Sequence, residues 1–371
     1  MKKVLGIFFG LAVVLAVWPG LAAASDQHAN VKIMTQNMDD GTDQTYIIAA
    51  ITGQLPVPVE SAVDLTFLEL QASNFEGRAK ALARQIAEEK PDLVALQEVA
   101  LWRFGPTAET ATEVLYDHLD LLLSALRKLR VPYDVAAVNS LSDLALQGDQ
   151  IGGALRYTDR NAVLIRSDLR PPRFRISNVH ARTFDAAFPF AGLMITAGWI
   201  SADVRMGNER FRFVTTHLES AIPGVPEATD VQVAQAQELI DALADTRIPV
   251  VICGDFNSDA NHGGFANDTP TVDLIERAGY AETWPRTHRK RDLGLTWPLF
   301  LEDQFPGGGL PPPFFAASKP LERIDLFFSK GMDIVSSELV IAPAPGSFHP
   351  PSFKTPPFGS DHAGVIAVFR P

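Results

Sequence analysis

The sequence predicts an α/β protein whose sheets are not purely parallel. Three observations carry this. Short apolar runs, many rich in β-branched residues, recur from one end of the chain to the other. Between some of them lie longer stretches with apolar residues three and four apart and a solvated opposite face, the pattern of an amphipathic helix. Two neighbouring strand-like runs are separated only by a short polar stretch around Met206-Gly207-Asn208, which is the spacing of an antiparallel hairpin.

The 371 residues are 46% hydrophobic and 20% charged, a globular composition. The chain opens Met1-Lys2-Lys3, runs apolar from Val4 to Trp18, and reaches Leu21-Ala22-Ala23-Ala24 after Pro19-Gly20. A positive start, a short apolar core and an Ala-x-Ala site make residues 1–24 a signal peptide, so a secreted or periplasmic location is expected. A membrane anchor needs about 20 uninterrupted apolar residues. Cys253 is the single cysteine and lies inside an apolar run. It is expected in the core, with no internal disulfide and no disulfide-linked partner.

Strands are expected at 31–36, 93–96, 135–138, 162–165, 194–204, 211–216, 250–253, 324–328 and 364–369. Helices are expected at 75–89, 110–129 and 230–245, the first ending before Pro91. Residues 39–72, 257–272, 298–322 and 342–359 read as long loops, the last two rich in Pro, Gly and Phe. No linker breaks the pattern, so residues 30–371 are expected to form one domain and a monomer. The formal net charge is −12, and loss of Lys2 and Lys3 makes it two units more negative. That balance weighs against a protein gripping long nucleic acid through a basic face, although local patches can oppose it; the densest basic cluster, Thr287-His288-Arg289-Lys290-Arg291, reads either as a contact for a second phosphate or as a solvated face.

Polar residues gather at strand ends. Asn37 closes the first strand, Glu98 the second, His217 the run 211–216, and Asp255 and Asn257 the run 250–253. Asp325 opens a strand, and Asp361-His362 precedes the last one. Each alone is explained as a cap or turn; six such ends in one chain suggest a site. Glu98, Asn37 and Asp361 are hard oxygen donors of the kind that hold Mg²⁺. His217 and His362 are proton donors or acceptors near neutral pH, and Asp325 can orient His362. Asp255 and Asn257, two apart on an extended chain, point the same way.

The motifs Met34-Thr35-Gln36-Asn37, Leu96-Gln97-Glu98-Val99, Thr216-His217-Leu218-Glu219, Gly254-Asp255-Phe256-Asn257, Arg323-Ile324-Asp325 and Ser360-Asp361-His362 stand in one order along the chain. In them the sequence resembles the endonuclease/exonuclease/phosphatase (DNase I-like) superfamily of metal-dependent phosphoesterases. The resemblance implies a four-layered α/β sandwich, two mixed β-sheets packed face to face and flanked by helices, with the site at one end. It also implies metal-dependent hydrolysis of a phosphoester; the leading expectation is a phosphodiester cleaved with Mg²⁺, for which Mn²⁺ can substitute. Glu98 would be the main metal ligand, supported by Asn37 and Asp361. Asp255 would orient or deprotonate water, and Asn257 would hold a phosphate oxygen. His217 and His362 would face the phosphate, with Asp325 polarising His362. A phosphomonoesterase on inositol or sugar phosphates and a non-catalytic phospho-ligand-binding protein remain the alternatives. The substrate, nucleic acid, phospholipid or inositol phosphate, is open at this point. Residues 39–72 are longer than a minimal member requires and border the site. Trp297 is expected to pack, Phe305, Phe314 and Phe315 to anchor a loop, and Asp159-Arg160-Asn161 either to reach the site or to form a salt-bridged turn.

Overall fold

Period-two alternation organises both sheets of the computed structural model, which describes residues 30–171, 174–190, 192–222, 224–301, 315–343 and 356–370. The segment 1–24, expected to be a signal peptide, and Phe305 and Phe314 lie outside the described residues. In chain order the strands are β1 (Val31–Asn37), β2 (Leu93–Gln97), β3 (Leu101–Gly105), β4 (Glu113–Asp117), β5 (Tyr133–Gln147), β6 (Ala154–Arg166), β7 (Phe174–Thr183), β8 (Phe188–Phe190), β9 (Leu193–Ile195), β10 (Gly198–Met206), β11 (Glu209–His217), β12 (Val250–Asp255), β13 (Ala281–Glu282), β14 (Phe300–Leu301), β15 (Ala316–Ala317), β16 (Asp325–Lys330), β17 (Asp333–Val340) and β18 (Gly364–Arg370). The helices are α1 (Thr45–Ile51), α2 (Val59–Ala72), α3 (Phe75–Glu89), α4 (His118–Lys128), α5 (Pro226–Leu243), α6 (Thr271–Arg277) and α7 (Trp284–Thr287).

An eight-stranded sheet runs β17-β18-β1-β2-β6-β3-β4, with β5 also on β6; a six-stranded sheet runs β13-β16-β12-β11-β10-β7. Both are mixed: β1/β2 and β11/β12 are parallel, and their other neighbours antiparallel. Inward rows such as Val31, Ile33, Leu93 and Ala95 of one sheet meet Phe211, Phe213, Val251, Cys253 and Phe327 of the other in one core. The outward residues Met34, Val94, Leu96 and Ile366 pack under Leu82, Ile86, Leu122 and Leu126 of α3 and α4. Val214, Ile252 and Phe328 pack under Leu239, Leu243 and Ile275 of α5 and α6. Helix, sheet, sheet and helix make four layers, as expected. Cys253 is fully buried between the sheets. No helix among the described residues is long and apolar enough to cross a membrane.

Several expectations need correction. Residues 39–72 are not a loop: they carry α1 and α2, and α2 buries Ala62, Val63, Thr66 and Leu70 at helical spacing. Neither helix has a side-chain cap, and Gly53 and two nearby prolines disguise them as irregular chain. The expected helix 110–129 starts only at His118, because residues 113–117 pair with β3 as an edge strand and Asp117 then caps α4 through the N–H groups of Leu119 and Asp120. The run 194–204 is two strands, β9 and β10, pairing with different partners. Helix 230–245 begins earlier, at Pro226. Asp159-Arg160-Asn161 is no turn but lies inside β6, where Arg160 pairs with Asp117 at 2.7 Å. Phe315 is buried edge-on against Phe300, as an anchor.

Candidate active site

The alternation that fills the core also delivers the polar residues. His217, Asp255 and Asp325 continue the inward rows of β11, β12 and β16, and the register sets His217 beside Asp255 and Asp255 beside Asp325. In the facing sheet, parallel pairing sets Asn37 of β1 beside Gln97 of β2, and Glu98 follows with a left-handed φ of 50°. Gly254 is required where it stands: its φ is +148°, and a Cβ there would lie 1.9 Å from the Thr216 carbonyl oxygen.

These side chains converge. His217 Nε2 lies 3.9 Å from Glu98 Oε1 and 3.8 Å from Asp255 Oδ2. His362 Nε2 lies 3.8 Å from Asp255 Oδ2 and from Asp361 Oδ1, while its Nδ1–H donates to Asp325 Oδ2 at 2.8 Å. The donor atoms of Glu98, His217 and Asp255 fall within 4.8 Å of one another, as do those of Asp255, Asp325 and His362. Asn257 sits in the turn after β12: its N–H donates to Asp255 Oδ1 at 2.8 Å, and its Nδ2 donates to the Leu218 carbonyl at 2.9 Å and lies 3.2 Å from His217 Nε2. Asp255 and Asn257 therefore end the strand and also face the site.

Asn37 is placed differently from the expectation of an oxygen ligand. Its Oδ1 accepts the Asp39 N–H at 2.8 Å, so its amide nitrogen faces the carboxylates, donating to Glu98 Oε1 at 2.8 Å and Asp255 Oδ2 at 2.9 Å. As placed, Asn37 orients the two acids. Trp297 does more than pack, since its Nε1–H donates to Asp361 Oδ2 at 2.8 Å. The preceding Thr296 accepts the N–H groups of Ile324 and Asp325 on Oγ1, tying this segment to the start of β16. Sequence reasoning also missed a polar relay between the sheets: Thr35 Oγ1 donates to Gln97 Oε1 at 3.2 Å, and Gln97 Nε2 to Thr215 Oγ1 at 3.0 Å. The available signal was a polar residue on the inward row of an apolar strand.

Burial, with the nearby Asp361 carboxylate, pushes Glu98 up to about 7 against the pull of His217. Burial likewise pushes Asp361 up to about 7, opposed by His362 and reinforced by Asp39. Burial would lower both histidines. For His217 the Asp255 and Glu98 carboxylates outweigh it, and for His362 Asp325 and Asp361 do, so His217 is raised and His362 stands well above its ordinary value. The site thus sets two imidazoles, whose charged forms the carboxylates favour, among crowded carboxylates. Among the described residues no lysine or arginine forms an ion pair with Glu98, Asp255 or Asp361. The Glu98, Asp255 and Asp361 carboxylates are hard oxygen donors of the kind that suit a divalent cation.

Residues 64–362 match the Endonuclease/Exonuclease/phosphatase family. The chain belongs to this family. Its fold is that of solved members. A family protein from Bacteroides thetaiotaomicron superposes with a TM-score of 0.54 at 14% identity, covering 92% of this chain and 97% of that one. One from Leptotrichia buccalis gives 0.53 at 18% identity, covering 91% and 98%. D. rerio TDP2, in a complex with single strand DNA product, gives 0.53 at 14% identity, covering 92% and 100%. No curated protein matches the sequence. Family membership makes this a phosphoesterase-like or nuclease-like hydrolase, in a family whose enzymes generally depend on a divalent metal.

Proposed function

We propose that the protein is an exported, monomeric, Mg²⁺-dependent phosphodiesterase that hydrolyses its substrate by attack of water. The observation that carries this reading is the placement of Asp255 between two imidazoles, with His217 and His362 each 3.8 Å from its Oδ2. A phosphodiester is anionic and repels nucleophiles, so a site that cleaves one needs fixed positive charge at the phosphate and a base at the water. Glu98 and Asp361 would hold Mg²⁺ or Mn²⁺, which offsets phosphate charge in the transition state. Asn37 keeps Glu98 and Asp255 oriented. With His217 charged, its Nε2–H and the Asn257 amide are two donors 3.2 Å apart, a cradle for one anionic oxygen. Asp325 holds the His362 ring so that its Nε2–H faces the phosphate. The Asp255 carboxylate orients the water and accepts its proton.

The direct test is hydrolysis of bis-p-nitrophenyl phosphate by the purified protein. EDTA is expected to abolish it and Mg²⁺ or Mn²⁺ to restore it. Full activity in metal-free protein sinks the metal requirement, and hydrolysis of p-nitrophenyl phosphate alone overturns the diester reading. Export rests on the residue pattern of 1–24; N-terminal sequencing of exported protein is expected to begin at Ser25. Size-exclusion chromatography with light scattering tests the monomer.

A further inference from the structure

We propose that Arg78 is a positioning residue for the active site: its guanidinium clamps the turn after β1 and the segment entering Asp361-His362 against one helix. The idea rests on the roles given above to Glu98, Asp361 and His362. Arg78 lies on α3 at 1% exposure, among the largest fully buried side chains of the described residues. A cation on the buried face of a helix, beside Phe75, Ala79 and Leu82, requires compensation for lost hydration.

That compensation comes from the segments that build the site. Nη2 donates to the carbonyls of Met38 and Asp39, both at 2.6 Å, and lies 2.9 Å from Asp39 Oδ2. Nη1 donates to Ser73 Oγ at 2.5 Å, Nε to the Gly359 carbonyl at 3.2 Å, and the Phe75 ring lies 5.5 Å from the guanidinium carbon. Each anchored segment leads straight to the site. On one branch, the Asp39 N–H donates to Asn37 Oδ1 and the Asp40 N–H to Glu98 Oε2 at 3.0 Å. On the other, Gly359 precedes Ser360, whose Oγ accepts the His362 N–H at 3.0 Å.

Asp39 has a left-handed φ of 58°, a conformation aspartate adopts more readily than most residues, and the guanidinium meets both its carbonyl and its carboxylate there. The two branches come from opposite ends of the chain, and the planar guanidinium fork is what lets one side chain meet both. A lysine offers a point charge that cannot span these acceptors.

The test compares Arg78→Lys with Leu126→Ala, a truncation of a buried core residue on α4. In metal-free protein, native-state exchange of the Asp39, Asp40 and His362 amides is expected to accelerate on the order of 100-fold in Arg78→Lys, with β12 unchanged. Leu126→Ala should not single out those amides. If Arg78→Lys does not fold, Ser73→Ala removes one acceptor without stranding a charge, and the same amides are expected to accelerate by about 5-fold. On bis-p-nitrophenyl phosphate, kcat per folded molecule should fall about 10–100-fold in Arg78→Lys and stay constant in Leu126→Ala. Wild-type exchange at these amides in Arg78→Lys, or equal acceleration in Leu126→Ala, overturns the clamp. An inactive wild-type protein overturns the phosphodiesterase reading instead, and the exchange measurement still decides the clamp.

Discussion

Asp255 combines two jobs that usually fall to different residues: it ends a buried strand and presents a carboxylate between two imidazoles. Asp255→Asn keeps the shape and removes the proposed base, so kcat is expected to fall about 10²–10⁴-fold with the circular dichroism spectrum unchanged. A loss under tenfold assigns the base elsewhere. Trp297 donates to Asp361, and its ring lies 6.2 Å from that of His362. Trp297→Phe keeps the ring and deletes the donor, and the Mg²⁺ needed for half-maximal activity is expected to rise about tenfold with kcat at saturation little changed. Gly254 is structural in a stricter sense, since any Cβ collides with the neighbouring strand backbone. Gly254→Ala is expected to cost on the order of 3 kcal/mol or more, read as a lowered urea midpoint. The candidate site positions were legible in the sequence because each is a polar residue at the start or end of an apolar run, a local signal. Trp297 and Arg78 were not, because what they touch lies 64 and 281 residues away in the chain.

At the scale of elements, strand ends were read within one or two residues where the apolar run was short and bounded, as in β1, β2 and β12. Boundaries failed where two elements share one apolar pattern. Residues 110–129 look helical throughout, yet residues 113–117 find an open edge on β3, and edge pairing overrides local periodicity. Asp117 marks the switch: its Oδ1 caps α4 and accepts from Arg160 Nη2. Asp117→Ala is expected to cost about 1 to 2 kcal/mol in thermal unfolding with kcat unaffected. The helices α1 and α2 were missed because no cap announces them; α1 is held against α2, and α2 buries one face against the core. Such helices owe their existence to packing rather than propensity.

For the whole molecule, the charge arrangement gives a pH dependence with a definite sign. Glu98 and Asp361 are raised to about 7, and His217 and His362 are raised as well. The metal-free native state therefore binds more protons than the unfolded chain near neutrality. Stability that these groups contribute is fully present below their unfolded values and is lost as pH rises through the folded ones. Buried His118, held well below its ordinary value by burial and by Arg78, works oppositely but acts only below about 6.5. Between pH 6.5 and 8 the urea midpoint in EDTA is expected to fall, and Mg²⁺ to flatten the slope by binding the ionised carboxylates. A midpoint that rises across this window in EDTA contradicts that balance. What the sequence by itself determined is the α/β class, the two kinds of strand pairing and the polar strand ends, because period two and chain punctuation are local properties. Which ends meet was decided by register across two sheets. Asn37 facing Glu98 with its nitrogen, Trp297 on Asp361 and Arg78 joining segments from both ends of the chain exist only once those sheets pack, because hydrogen bonds between distant residues leave no periodic trace in the chain.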